Sequence, residues 1–463
     1  MGDGTTTVFG RAHRLTTAGL LMLVTFVAFE SMAVATAMPT AVAELDGLAW
    51  YGWPFSAYLV ASVVGMVAGG DVGDRRGSRV ALLVGVALFA AGLLLGGLAG
   101  SMAWFVAARA VQGVGAGIIS VALYVVAGQA YEPALRPKLF AAFSAAWVLP
   151  ALVGPLLAGL ITTHAGWRWV FLGLLPLIAV GLGLILPALR RFGAPTAAPE
   201  GARHRHWWAL LAGLGIAALQ YAGQRLDLLA VAVAAGGLAA LVAGLRPLVP
   251  AGTVRLRPGL PAVVGGRGLL AGAFFGMDVL LPLTLTELHG YTPTAAGVPL
   301  TAGALGWALA SQLQSRRPDV PRVRILRAGF ALLAVGLATS ALVTVPALHG
   351  WPVYLTWAVA GLGMGLGMPS LSVLLLDQSP EERRGADSAA FQIADVTASA
   401  LAIGTTGVLV AAGVAGVLSF EAAVLTAVAV LTLLAALGAA AAPRAGSRPA
   451  PEARDTATTL AAT

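Results

Sequence analysis

The chain is written twice. Sliding it against itself by 248 positions lays 111–117 (VQGVGAG) on 359–365 (VAGLGMG), and 141–148 (AAFSAAWV) on 389–396 (AAFQIADV). The same shift, without a gap, lays Glu30 on Asp278, two lone acids inside long apolar stretches. One offset serving three separate segments predicts an internal duplication rather than a chance agreement of Gly/Ala strings. An apolar chain duplicated in this way, with an acid at matching places, points to a carrier. Its substrate and coupling ion would bind between the repeats, near the bilayer midplane.

Hydrophobic residues fill 58% of the 463 positions and charged residues only 10%, against roughly 25% charged in soluble domains. The chain is therefore expected in a membrane. With no Cys there is no disulfide, thiol nucleophile or thiolate metal site. The six His show no metal-ligand spacing. There is no Ser–His pairing and no nucleotide-binding Gly–Lys loop, which leaves a membrane enzyme without support.

About fourteen apolar spans long enough to cross a bilayer can be drawn. They lie near 15–40, 48–69, 79–99, 103–129, 139–162, 168–189, 207–223, 227–245, 262–286, 294–313, 325–346, 352–376, 387–412 and 417–441. With both ends cytoplasmic, 25 of the 28 Lys and Arg, Arg267 included, fall on the inner side. Arg109 lies inside a span, and Arg168 and Arg225 lie on outer turns. This is the positive-inside asymmetry, and it accounts for the net charge of +8 without a nucleic-acid partner. The first span follows Arg11 and Arg14 as a secretory signal would, but its core is too long and further spans follow at once. It is expected to remain as the first helix.

The spans group as six, two, six. The expected division is a cytoplasmic tail (1–14), a six-helix bundle (15–190), a linker (191–206), two inserted helices (207–246), a second linker (247–261), a six-helix bundle (262–441) and a disordered tail (442–463). The inserted pair is Ala/Leu/Gly-rich and is expected at the periphery. Trp50, Tyr51, Trp53, Trp104, Trp167 and Trp169 fit an outer aromatic belt.

Several motifs sit on these spans in order. The turn after the second span, 70–79 (GDVGDRRGSR), has Gly70, Asp74, Arg75, Gly77 and Arg79 in the pattern G-x-x-x-D-R-x-G-x-R, with an additional Asp71. Glycines there permit a tight turn, and Asp74 can pair with nearby arginines or face a helix N-terminus. The fourth span holds 109–117 (RAVQGVGAG), and the fifth holds Gly154, Pro155 and Gly159 within 149–159 (LPALVGPLLAG). After it comes 167–171 (WRWVF), and the first span contains 29–39 (FESMAVATAMP). Together these resemble the signature loop, fourth-helix arginine motif and antiporter helix of the major facilitator superfamily, in its fourteen-helix drug:proton antiporter branch. That resemblance implies an all-α membrane fold of two six-helix bundles with two inserted helices. It also implies that the 154–159 element acts as a bend or seal through which the halves rock.

Charges inside spans carry the most chemistry. Each costs about 2.5–3.5 kcal/mol at a helix centre on insertion scales, so it tends to face a cavity or a partner. Glu30, Asp278 and Asp395 are such acids, and burial favours the neutral form of a carboxyl, as a proton carrier requires. Glu30 and Asp278 are expected to form the main proton and cation site, with Asp395 assisting. Polar glue between helices is the alternative for any one of them. Arg109 cannot carry protons and is expected to stabilise one carboxylate, a role that the resemblance also implies. A structural cap is the alternative. Tyr58, Tyr124, Trp147, Phe275, Trp307 and Trp357 are candidate cavity aromatics for a lipophilic cation, through cation–π contact. Gln112, Gln312 and Gln392 could add hydrogen bonds.

The resulting expectation is a monomeric bacterial inner-membrane exporter of lipophilic cations, with protons as the coupling ion, membrane lipid as its surroundings and no cofactor. Alternatives are export of an endogenous, lipid-like product, nutrient uptake, or a non-transporting sensor.

Overall fold

The computed structural model describes residues 7–10, 13–132, 135–190, 205–223, 228–317, 319–380 and 384–446. All regular secondary structure among them is helical. The first set comprises α1 (Arg14–Glu44), α2 (Trp53–Arg76), α3 (Ser78–Gly97), α4 (Met102–Ala130), α5 (Arg136–His164), the short α6 (Arg168–Leu172) and α7 (Leu174–Leu189). Then come α8 (Arg205–Gly223) and α9 (Leu228–Leu245). The last set is α10 (Leu260–His289), α11 (Pro293–Ser315), α12 (Arg322–Ser340), α13 (Pro352–Gln378), α14 (Arg384–Val414) and α15 (Phe420–Ala441). Among the described residues, eleven helical stretches, with α6 and α7 taken as one, are long and apolar enough to cross a membrane. The apolar parts of α5 and α8, 149–164 and 207–223, are shorter.

The offset that aligns the sequence also pairs the helices: α1 with α10, α2 with α11, α3 with α12, α4 with α13, α5 with α14 and α7 with α15. Packing repeats in the same way. α4 lies against α2 and α3 as α13 lies against α11 and α12, and α1 lies against α5 and α7 as α10 lies against α14 and α15. The two sets meet reciprocally, α5 on α11 and α2 on α14.

The duplicated Gly string has a steric cause. A Cβ on Gly113 would stand 2.2 Å from the Tyr58 carbonyl oxygen and one on Gly117 2.0 Å from that of Ser62, both on α2. Gly115, on the opposite face of α4, would meet the Phe89 nitrogen of α3 at 2.3 Å. In the second set, Gly361 and Gly365 meet the Gly303 and Trp307 oxygens of α11 at 1.9 and 2.3 Å, and Gly363 meets the Leu333 nitrogen of α12 at 2.5 Å. Residues four apart share a helix face while the residue between them points away. One G-x-G-x-G string thus wedges a helix between two neighbours at backbone contact, the packing that a bilayer rewards.

Several expectations need correction. Residues 70–76 are not a loop but the end of α2, and the turn shrinks to Gly77, whose φ of 87° only glycine adopts readily. Arg75 pairs with the additional Asp71 one helical turn back, at 2.8 Å. Arg79 is exposed on α3, Gly70 has open space around it, and the Asp74 side chain lies outside the described residues. The tail begins ordered: residues 442–446 form a 3-10 turn, and the Arg444 carbonyl accepts from the Gly259 N–H at 2.9 Å, beside the start of α10. The linker at 191–204, Arg225 and the tail from 447 lie outside the described residues.

Of the inserted pair, α9 packs on α8 and keeps a broad exposed face, while α8 reaches the seam between the two sets. There α8 packs on both α2 and α14, and buries Gln220 against Gly52 and Gly404 with neither end of its amide hydrogen-bonded. Tyr51 and Trp167 are also buried rather than anchored in a belt. Trp167 packs edge-on to Phe105 and Phe171 and donates to Glu44 Oε2 at 2.7 Å. Trp50, Trp104 and Trp169 are exposed.

Candidate functional site

The first site lies where α1, α2 and α4 converge. Glu30 has no exposed surface, and its Oε1 is paired with Arg109 Nη1. The same Nη1 donates to Gln112 Oε1 at 2.6 Å, one turn along α4, and Nε donates to the Pro54 carbonyl at 3.4 Å. The guanidinium lies 4.3 Å from the centre of the Tyr58 ring, a cation–π contact. Four groups from three helices therefore hold Arg109 in place. Two polar atoms stay unpartnered, Glu30 Oε2 and Gln112 Nε2. A buried, half-satisfied carboxylate is costly to keep and sensitive to any change in charge.

The second site occupies the equivalent place in the other set. Asp278 on α10, the mate of Glu30, has the Trp357 side chain of α13, the mate of Arg109, as a near neighbour. The fully buried Trp357 stacks on Phe274 with ring centres 4.8 Å apart, and its Nε1 has no acceptor at bonding distance. Phe274 also meets Phe275 and Trp307 edge-on, at 5.4 and 5.8 Å. Where one half sets a cation beside its acid, the other sets stacked aromatic rings. Phe274 escaped sequence reasoning, although its repeat mate is Phe26 and that match was a usable signal.

Each acid sits in its own cluster, and among the described residues no hydrogen bond or ion pair joins Glu30 to Asp278. Asp395 joins neither. It pairs with Arg267 of α10, Nε to Oδ1 at 2.9 Å and Nη2 donating to Oδ2 at 3.0 Å. Arg267 is buried inside α10 with Phe391 5.0 Å below its guanidinium, so it is not one of the solvated inner charges. Its depth, seven residues from the start of α10, was the missed signal.

The aromatic candidates divide. Tyr58 and Trp357 are buried in packing, as is Gln112; Phe275 and Trp307 are half-buried. Tyr124 is 57% exposed and edge-on to Phe143. At 1.5 Å per residue it stands about 22 Å along α4 from Arg109, too far to share that site. Gln392 is exposed on α14, and Trp147 lies on α5 with its side chain outside the described residues. An apolar groove of about 260 Å³ between α10, α14 and α15, lined by Gly272, Ala402, Thr406 and Leu431 among others, holds none of the acids.

The two sets close on one another at the end carrying the α1–α2 turn. A Cβ on Gly159 of α5 would stand 2.5 Å from Thr294 Cα of α11, and the Thr163 and Thr294 hydroxyls are 3.0 Å apart. Gly297 of α11 packs on the Pro155 carbonyl and on Thr36 of α1. Gly154 faces Met32 and Phe29 of α1 instead, beside Glu30. Gly52 of the α1–α2 turn and Gly407 of α14 touch through their backbones, and the Tyr51 hydroxyl donates to the Val279 carbonyl.

A family model described as Major Facilitator Superfamily matches residues 20–403 and 263–462. The chain is 30% identical over 395 residues to a "Probable multidrug-efflux transporter" of Mycobacterium tuberculosis (strain CDC 1551 / Oshkosh), covering 81% of this chain and 82% of that protein. It is 26% identical to the multidrug transporter protein MdtP of Bacillus subtilis (strain 168), covering 79% and 70%. Its fold superposes on a crystal structure of a POT family transporter in complex with a thioalcohol-conjugated peptide. The TM-score is 0.69 at 15% identity, covering 93% of this chain and 96% of that one. An auto-inhibited POT family peptide transporter also gives 0.69, at 17% identity and 95% and 98% coverage. The chain belongs to the major facilitator superfamily, and is a multi-pass membrane transporter rather than an enzyme.

Proposed function

We propose that this transporter is a proton-coupled exporter of lipophilic cations, of the fourteen-span antiporter type. It would work as a monomer in a bacterial inner membrane with both termini cytoplasmic. The observation that carries the reading is the paired placement of Glu30 and Asp278 at equivalent points of two duplicated helix sets. One faces a fixed guanidinium and the other a stack of aromatic rings. An acid beside stacked rings suits a lipophilic cation by charge and by cation–π attraction. An acid bound to Arg109 suits a proton switch, because protonating Glu30 would release the guanidinium. Two six-helix bundles (15–190 and 262–441) supply both walls from one chain, so no second copy is required. Arg75, Arg76, Arg316 and Arg322 all cap helix ends opposite the closed end, which supports a cytoplasmic assignment for that side. The bacterial relatives named for multidrug transport support the substrate class.

On this reading the Gly159–Thr294 and Gly52–Gly407 contacts are the closed outer gate, and the 154–159 element forms its seal. Protons arriving from outside would neutralise the acids and release the drug, and deprotonation toward the cytoplasm would restore affinity. Asp395, held by Arg267, would assist at the inner side of α14. The test is proton-driven uptake of a cationic dye into inverted vesicles. Wild type should accumulate dye, and Glu30→Gln combined with Asp278→Asn should abolish accumulation. Uptake surviving the double substitution overturns the proposal. Dye-independent transport of a neutral, lipid-like compound would favour an endogenous product instead.

A further inference from the structure

The 51–54 segment, Tyr51-Gly52-Trp53-Pro54, reaches both carboxyl sites. At one end, the Pro54 carbonyl accepts from Arg109 Nε at 3.4 Å, the arginine that holds Glu30. At the other, the buried Tyr51 hydroxyl donates across the halves to the carbonyl of Val279, the residue after Asp278. That hydroxyl also lies within electrostatic reach of Asp278 and of Glu287 on the same helix. Between them, Gly52 leaves no room for a Cβ: one built there would stand 2.9 Å from Gly407 Cα and 3.0 Å from the Ile403 oxygen, both on α14. The Gln220 amide of α8 closes over the same glycine, 3.3 Å from that Cβ position. The Tyr51 ring is steadied by Phe55, with centres 5.8 Å apart.

We infer that the 51–54 segment couples the Glu30–Arg109 pair to the Asp278 site, with Tyr51 as a positioning residue that latches the closed gate. The chain of causes is short. Protonation of Glu30 removes the charge that fixes Arg109, and Arg109 is bonded to Pro54. Movement at Pro54 shifts the start of α2, on which Gly52 and Tyr51 ride. Release of Tyr51 from the Val279 carbonyl frees α10 at the residue next to Asp278, so the gate opens where the second acid waits. The role assigned to Glu30 rests on the exporter reading above, but the contacts that define the latch do not.

The test uses distances rather than transport, so that its failure is separable from failure of the exporter reading. The chain has no Cys, so spin labels can be placed at Gly100→Cys and Val417→Cys without removing any native thiol. Both positions are exposed, in the α3–α4 and α14–α15 turns at the gate end of the two halves. In the otherwise native chain one short distance should dominate. Tyr51→Phe, which removes only the hydroxyl, should raise a longer-distance population about tenfold. Gly52→Ala, which wedges the same crossing without touching the hydroxyl, should do likewise in folded, monodisperse protein. Glu30→Gln should raise that population in the native background but add less than a factor of two on top of Tyr51→Phe. Multiplication of the two effects would mean that the acid and the tyrosine act separately, and would overturn the coupling. Distances unchanged by Tyr51→Phe would overturn the latch.

Discussion

Removing one member of the Glu30–Arg109 pair should hurt the protein more than removing both. Arg109→Gln leaves a fully buried carboxylate that already has one oxygen without a partner. Glu30→Gln leaves a buried guanidinium whose other ties are Gln112, the Pro54 carbonyl and the Tyr58 ring. Breaking a buried pair by deleting one partner costs about 3–5 kcal/mol, because a charge is left uncompensated. That is a loss of about two to three and a half decades in the folded-to-unfolded ratio. Were the two residues independent, the double substitution would lose about 6–10 kcal/mol. Because each charge is costly only without the other, the Glu30→Gln/Arg109→Gln chain should lose less than either single variant, about 1–2 kcal/mol at most. Two glutamines can still share a hydrogen bond across the same gap. The assay is thermal unfolding of the purified, detergent-solubilised chains, run beside dye uptake in proteoliposomes. The double variant should unfold above both singles yet carry no proton-driven dye. A double variant less stable than either single would refute the reasoning, because the pair would then not be an electrostatic unit.

Other outcomes follow from the same structure. Arg267→Ala should destabilise by less than the ~3–5 kcal/mol of a fully buried pair, because Asp395 keeps 16% of its side-chain surface exposed, and Arg267→Ala with Asp395→Ala should destabilise less still; comparative melting of the three chains checks it. By contrast, Asp71→Ala should move stability by under about 1 kcal/mol, because its partner Arg75 is half exposed; an unchanged melting curve is the expected reading. Gly361→Leu should abolish folded material, since even a Cβ there would sit 1.9 Å from the Gly303 oxygen; monodisperse yield in detergent measures this. Gly159→Val should force α5 away from Thr294 and increase labelling of a nearby gate-end cysteine by a membrane-impermeant maleimide.

The duplication was legible because steric need had preserved it. Gly113, Gly115 and Gly117 answer to backbone contacts that recur at Gly361, Gly363 and Gly365, so the string survives where side chains drifted. The meeting of Glu30 with Arg109 was legible in part, because an unpaired charge inside a span is expensive enough to predict a partner, though not which one. Arg267 was not legible. From sequence it resembles any arginine near a helix start, and only the approach of α14 reveals Asp395 across from it. Tyr51 was misread for a related reason. Aromatic residues at a span boundary suit a lipid interface, and nothing local tells one that its neighbour is another helix. Gln220 shows the same limit, since a lone amide in an Ala/Leu/Gly helix gives no sign that α2 and α14 cross above it.

The wedging of α4 between α2 and α3 has a bearing on how such a carrier can diversify. Helices meshed main chain to main chain have no side chains there to trade, so those faces are closed to variation. Retuning toward a new cargo must fall to side chains off those meshed faces, such as Phe274 and Phe275 of α10, Trp307 of α11 and Trp357 of α13. Relatives with different appetites should therefore share the rigid slabs almost unchanged and diverge at such side chains.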